Sequence, residues 1–202
     1  MPFVYNFSQK FDSEKVPSPI LLDTNVLADL YYDRNGIIQN NSMERLLPYH
    51  QVIRACLSNK HPLYISAHNI LELFHIFLRH DHEIYNKISK QNCSIKVYRA
   101  ISSEKQARAS RYQLILDQIR SSGILITGLA LEEQIVNEFV QALDKNTMDA
   151  NDFLLANLAL EKDYAVLTDD GDYASEHPQC NIITINQQLL SAAQTLHYQI
   201  VA

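Results

Sequence analysis

The sequence predicts an α/β fold, three layers deep, in which a central, mostly parallel five-stranded sheet lies between two layers of helices. Three observations carry this. Five short, continuous apolar runs at 20–22, 63–66, 124–127, 164–168 and 182–185 have the character of strands buried on both faces. Longer stretches with helical apolar spacing lie between them. The resulting alternation supplies the crossovers that parallel neighbours need, and these are almost always right-handed.

Taken in order, residues 1–18 are aromatic, polar and proline-containing and end in VPSP, so they are expected to form an N-terminal arm leading into a single domain over 19–202. The patch FVYNF within them reads as packing or interface. Helices are expected near 25–33, 43–59, 67–79, 82–91, 104–120, 130–143, 151–161 and 187–196. Cap-like residues mark several starts: Ser42, Ser66 or Asn69, Ser102 and Asn186. Neither a repeat nor a low-complexity tract is evident, which argues against a solenoid.

Composition narrows the function classes. The chain of 202 residues is 47% hydrophobic and 20% charged, a balance typical of globular domains and unlike disordered ones. No apolar run is long enough to span a bilayer, and MPFVYNFSQKF lacks the features of a secretory signal, so a cytoplasmic location without membrane contact is expected. Cys56, Cys93 and Cys180 are odd in number and widely spaced, and read as reduced thiols rather than zinc ligands. The net charge of −6 is unevenly spread. Residues 84–124 hold eight basic and two acidic side chains, leaving nine basic against 21 acidic elsewhere.

Ligands of such sheets bind beyond the carboxyl ends of the strands. Asp23 follows the run at 20–22, and Asp169, Asp170 and Asp172 follow the run at 164–168. Glu72 stands on the first turns of the helix after the strand at 63–66, while Asp149 and Asp152 sit three apart at the start of another helix. Each acid alone has a plain explanation as a cap or a turn residue. Four separate elements bringing acids to one edge would repel one another unless cations intervene. Carboxylate clusters suit Mg²⁺ or Mn²⁺, one ion or two, which can polarise a phosphate oxygen and activate water for phosphodiester hydrolysis. Glycine-rich phosphate loops and evident Ser, Cys or Lys nucleophile motifs are absent.

Four segments in order, ILLDTNVL (20–27), ISAHNILEL (65–73), NDFLLANLALEKDYAVLTDDGDY (151–173) and NIITIN (181–186), resemble the PIN-domain ribonucleases, which include the VapC-like toxin nucleases. The resemblance implies a PIN-like fold and an Mg²⁺/Mn²⁺-dependent endoribonuclease. It places catalytic, metal-binding acids at Asp23, Glu72, Asp152 and Asp170, with Asp172 as a fifth metal acid. Thr24, Asn25 and Thr168 then support the ligands. On this register Asp169 is a solvated bystander, a one-residue slip would exchange it with Asp170, and Asp149 is a cap or an outer-shell acid. RNA is the implied substrate, a small antitoxin protein and a second copy of the chain the implied partners. The alternative is an inactive PIN-fold module that binds RNA or protein. A haloacid-dehalogenase-type phosphatase would need a second aspartate where Asn25 stands.

Lys105, Arg108 and Arg111 are spaced three apart on an expected helix, beside Tyr112, and are candidates for holding RNA phosphates; the plainer reading is a solvated face. His68, His75, His80 and His82 do not share one helical face and read as ordinary surface or core residues.

Overall fold

A computed structural model of the chain describes residues 2–8, 16–17, 19–31, 40–130, 133–143 and 149–201. Its sheet has seven strands, all parallel: β1 (Phe3–Asn6), β2 (Ile20–Leu22), β3 (Leu63–Ser66), β4 (Leu125–Thr127), β5 (Ala165–Leu167), β6 (Asn181–Thr184) and β7 (Gln199–Val201). Their order across the sheet is β4-β3-β2-β5-β6-β1-β7. The five expected strands are all present, so the two additions, β1 and β7, correct the expected count.

The start of the presumed arm is therefore part of the sheet. Val4 and Tyr5 are fully buried, and β1 lies between β6 and β7, with Val4 opposite both Ile182 and Ile200. FVYN has the β-branched and aromatic content of a strand, but its partners lie at the other end of the chain.

Nine helices are formed among the described residues: α1 (Thr24–Tyr31), α2 (Asn40–Ser58), α3 (Ala67–Ser89), α4 (Ile95–Ala100), α5 (Ser102–Ser122), α6 (Glu133–Leu143), α7 (Ala150–Lys162), α8 (Tyr173–Glu176) and α9 (Gln187–Thr195). The helices expected at 67–79 and 82–91 are one helix, α3. Neither Gly nor Pro interrupts Arg79-His80-Asp81, and the buried Asp81 carboxylate is met by Arg111 of α5 at 2.5 Å, so a polar residue does not break the helix there. Lys90, left-handed at φ 53°, ends it. Residues 32–33 and 131–132, where α1 and α6 were expected to extend, lie outside the described residues.

Alternation along the strands divides the core in two. Ile20 and Leu22 face a cluster built with α1, α2, α3 and α5, including Leu27, Tyr49, Leu73, Phe77 and Ile119. Leu21 faces the other, with Leu155, Leu158, Tyr173 and Leu189 from α7, α8 and α9. Helices thus cover both faces, and the three-layer α/β/α class is as expected. No helix among the described residues is long and apolar enough to cross a membrane.

Candidate active site

Register places the site. Leu22 pairs with Leu167 and with Ile65, so the residues that follow β2, β3 and β5 emerge side by side at the carboxyl edge. Asp23 follows β2, and its N–H donates to the Leu167 carbonyl at 3.1 Å, continuing the ladder by one step. Thr168 follows β5; it is fully buried, and its hydroxyl donates to Asp23 Oδ2 at 2.7 Å. The same Oγ1 accepts from Asn25 Nδ2 at 3.2 Å and from the Asp170 N–H at 3.0 Å. One hydroxyl, with its single proton and both lone pairs engaged, ties Asp23, Asn25 and Asp170 together.

A second threonine repeats the device. Thr24 Oγ1 donates to Glu72 Oε2 at 2.6 Å and accepts from Asn69 Nδ2 at 2.8 Å. Asn69 is held in turn by Ser66, whose hydroxyl caps α3 by accepting the Asn69 N–H at 2.9 Å. Asn69 and Glu72 are three apart on α3 and share a face. Asn69 went unrecognised as a site residue, although that spacing was legible in ISAHNILEL.

Asp152 arrives on the first turn of α7. Asp149 is the N-cap, accepting from the N–H groups of Asn151 and Asp152 at 2.8 and 3.0 Å, so the cap is the role it takes. Asp170 Oδ1 accepts the Asp172 N–H at 3.0 Å, and the exposed Asp172 accepts from Gln188 Nε2 of α9 at 2.8 Å. Gly171 makes room for this contact, because a Cβ there would lie 2.6 Å from Gln188 Cδ.

The electrostatics bind these acids into one neighbourhood. Burial pushes the Asp23 carboxyl up to about 7, against the Thr168 hydrogen bond, with Glu72 and Asp170 adding repulsion. Burial, then the charges of Asp23, Asp149, Asp170 and Glu72, push Asp152 up to about 8. Among the described residues no three His, Cys, Asp or Glu side chains are grouped closely enough to hold a metal ion directly. The two observations differ in range: charge is felt well beyond the length of a coordination bond. The acids after β2, on α3, on α7 and in the loop after β5 therefore lie within reach of one another's charge at one edge of the sheet.

Two expectations are corrected. Asp169 is not a solvated bystander. It is 6% exposed, its Oδ1 accepts from the Tyr49 hydroxyl of α2 at 2.8 Å, its N–H donates to Asn25 Oδ1 at 3.2 Å, and its carbonyl accepts from Asn186 Nδ2 at 2.6 Å. Neighbours on an extended segment point to opposite sides, so Asp169 turns beneath α2 while Asp170 joins the acidic edge. Tyr49 also bonds Thr184 at 3.0 Å and accepts the Ile185 N–H at 3.2 Å, fastening the loop to the strand beside it.

The cationic stripe is also not free. Arg108 is buried, with its guanidinium 4.7 Å from the Tyr98 ring centroid and Nη2 donating to the Arg99 carbonyl at 3.2 Å. Arg111 is held by Asp81, and Tyr112 stacks on Phe74 at 4.3 Å. Of the three cations only Lys105 is exposed and without an ion pair among the described residues. Two of the histidines have ordinary partners: His82 Nε2 lies 2.7 Å from the Cys93 carbonyl, and His80 faces Glu83.

No protein-family model and no curated protein matches the chain. Among solved structures it is similar to one titled "Structure of FitAB bound to IR36 DNA fragment", with 16% sequence identity. The match covers 81% of this chain and 93% of that one, at a TM-score of 0.41. It is a likeness of fold and carries nothing about activity.

Proposed function

We propose that the chain is a PIN-like, Mg²⁺/Mn²⁺-dependent endoribonuclease that hydrolyses RNA phosphodiester bonds. One observation carries the reading: carboxylates from four separate elements share one strand-end edge, and their burial and mutual repulsion push Asp23 to about 7 and Asp152 to about 8. Such a set gains stability from a cation. An all-oxygen donor set fits a hard divalent ion. Asp23, Glu72, Asp152 and Asp170 would hold it, with Asp172 contributing at the exposed side. Bound there, the ion supplies polarisation of a phosphate oxygen and lowers the pKa of the attacking water.

The chain's own residues fix the carboxylates in advance. Thr168 aims Asp23, Thr24 aims Glu72, and each threonine is itself held by an asparagine. Gln188 holds Asp172, whose N–H holds Asp170. Preorganisation of this kind spares the reorganisation that loose acids would require. The further roles, toxin of a toxin–antitoxin pair, a small antitoxin partner and a homodimer, rest on the family resemblance of the motifs.

A labelled RNA incubated with Mn²⁺, and in parallel with EDTA, tests the proposal. Cleavage is expected with the metal only, and is expected to be lost in Asp23→Ala, Glu72→Gln, Asp152→Asn and Asp170→Asn. Undiminished cleavage in chelator or by Asp23→Ala would overturn it; RNA bound but never cut would favour the binding-module reading.

A further inference from the structure

With Arg108 and Arg111 engaged, a different set of cations faces outward. Lys87 and Lys90 close α3, Lys96 and Arg99 lie on α4, and Lys105 begins α5; all five are exposed. Among the described residues none of the five is in an ion pair. Lys96 and Arg99 are three apart and share a face of α4, while Lys90 ends α3 three residues past Lys87.

The three elements are fastened into one tip. The Cys93 carbonyl is met by His82 Nε2 at 2.7 Å, and the Cys93 N–H donates to Asn86 Oδ1 at 3.2 Å. Tyr98 of α4 packs against Tyr85 of α3 at 5.3 Å and beneath Arg108 of α5. Of the acids nearby, Asp81 is paired with Arg111, while Glu104, which accepts from the Tyr98 hydroxyl, and Glu83, which faces His80, keep their charges and are outnumbered by the five cations. The tip therefore concentrates positive charge on a chain of net charge −6. Lys87 follows Glu72 by fifteen residues on the same helix, which puts their backbones ~22 Å apart.

We infer that this tip is a second RNA-binding surface, gripping phosphates of the strand whose scissile bond lies at the acidic edge. The inference rests on the ribonuclease reading. An acidic edge repels RNA, so the strand needs cations elsewhere, and five exposed cations without an ion pair among the described residues are gathered here. Contacts to phosphates are independent of base sequence, so the tip adds affinity and sets a minimum substrate length rather than choosing the cleavage site.

The test compares the wild type with a K87A/K90A/K96A/R99A/K105A variant. Binding of a single-stranded RNA of about twenty nucleotides is measured by anisotropy in EDTA across a salt series, and cleavage of an oligonucleotide of about four nucleotides is measured with Mn²⁺. The variant is expected to bind the long RNA at least about tenfold more weakly at low salt, with a log Kd–log salt slope shallower by about two to three. Its kcat/KM on the short substrate should stay within about twofold of wild type, since that substrate is too short to span the two surfaces. An unchanged affinity and slope, equal losses on short and long RNA, or wild-type binding to an acidic protein but not to RNA would each overturn the inference. Salt-dependent RNA binding by a wild type that cuts neither substrate would overturn the nuclease reading and leave the tip as a binding surface.

Discussion

Removing one charge from the acidic edge should stabilise the metal-free protein. Asp152→Asn tests this most cleanly, because the Asp152 side chain has no hydrogen bond among the described residues to break; its backbone N–H keeps Asp149. A carboxyl at about 8 in the fold and 3.8 unfolded has a nominal cost at pH 7 of about 4 kcal/mol. Asp152 is half-buried, so solvent screening reduces this to about 1–2 kcal/mol. For a chain of this length the melting temperature should rise by about 3–6 °C. The sign follows from proton binding. Between pH 3.8 and about 8 the folded wild type holds a proton at Asp152 that the unfolded chain has released, so this group's contribution to stability falls as pH rises through that window. Asp23, at about 7, acts in the same direction. Burial depresses His177 to about 4, which acts oppositely, so the difference between variant and wild type is the quantity to follow. Melting scans in EDTA between pH 5 and 8 should show the gap widening with pH. Excess Mn²⁺ should then raise the wild type and leave Asp152→Asn nearly unmoved. A variant no more stable than wild type from pH 6 to 8 in EDTA would refute the electrostatic reasoning.

Other residues separate structural from functional roles. Asp169→Ala should lower stability by about 1–3 kcal/mol through loss of the buried Tyr49 contact, readable as a shifted urea midpoint, whereas exposed Asp172→Ala should shift it by under about 0.5 kcal/mol. Gly171→Ala should fold normally, because only the flexible end of Gln188 must move. That movement breaks the bond to Asp172, so Mn²⁺ affinity measured by calorimetry should fall about tenfold, within the range that outer-shell partners command. Thr24→Val should leave Glu72 unaimed and cut cleavage about tenfold or more, with Thr24→Ser restoring most of it in the RNA assay.

Much of the site was legible in the linear chain. ILLDTN and AVLTDDGD show apolar strands that end in acids, and the strand-end rule sends both to one edge before any coordinate is known. Periodicity likewise located every central strand, because burial on both faces leaves a continuous apolar mark. Strands β1 and β7 escaped it, since each is short, lies in the terminal part of the chain and gains its partner only by a parallel pairing across nearly the whole sequence. The break expected inside α3 is absent, and the buried Asp81 at that point is met by Arg111 on another helix, a partner that local pattern does not reveal.

The chemistry available, and the edge at which it gathers, can thus be read from the linear chain, because both follow from local pattern and chain direction. Direction and partnership of side chains were decided by tertiary structure. Asp169 and Asp170 are adjacent and chemically identical, yet one lies beneath Tyr49 and the other turns toward the acidic edge. Arg108 and Lys105 share a helical face, yet one is packed against Tyr98 and the other stays exposed. Sequence spacing fixes which residues are neighbours on an element; what that element packs against fixes whether a charge is spent on structure or left for a ligand.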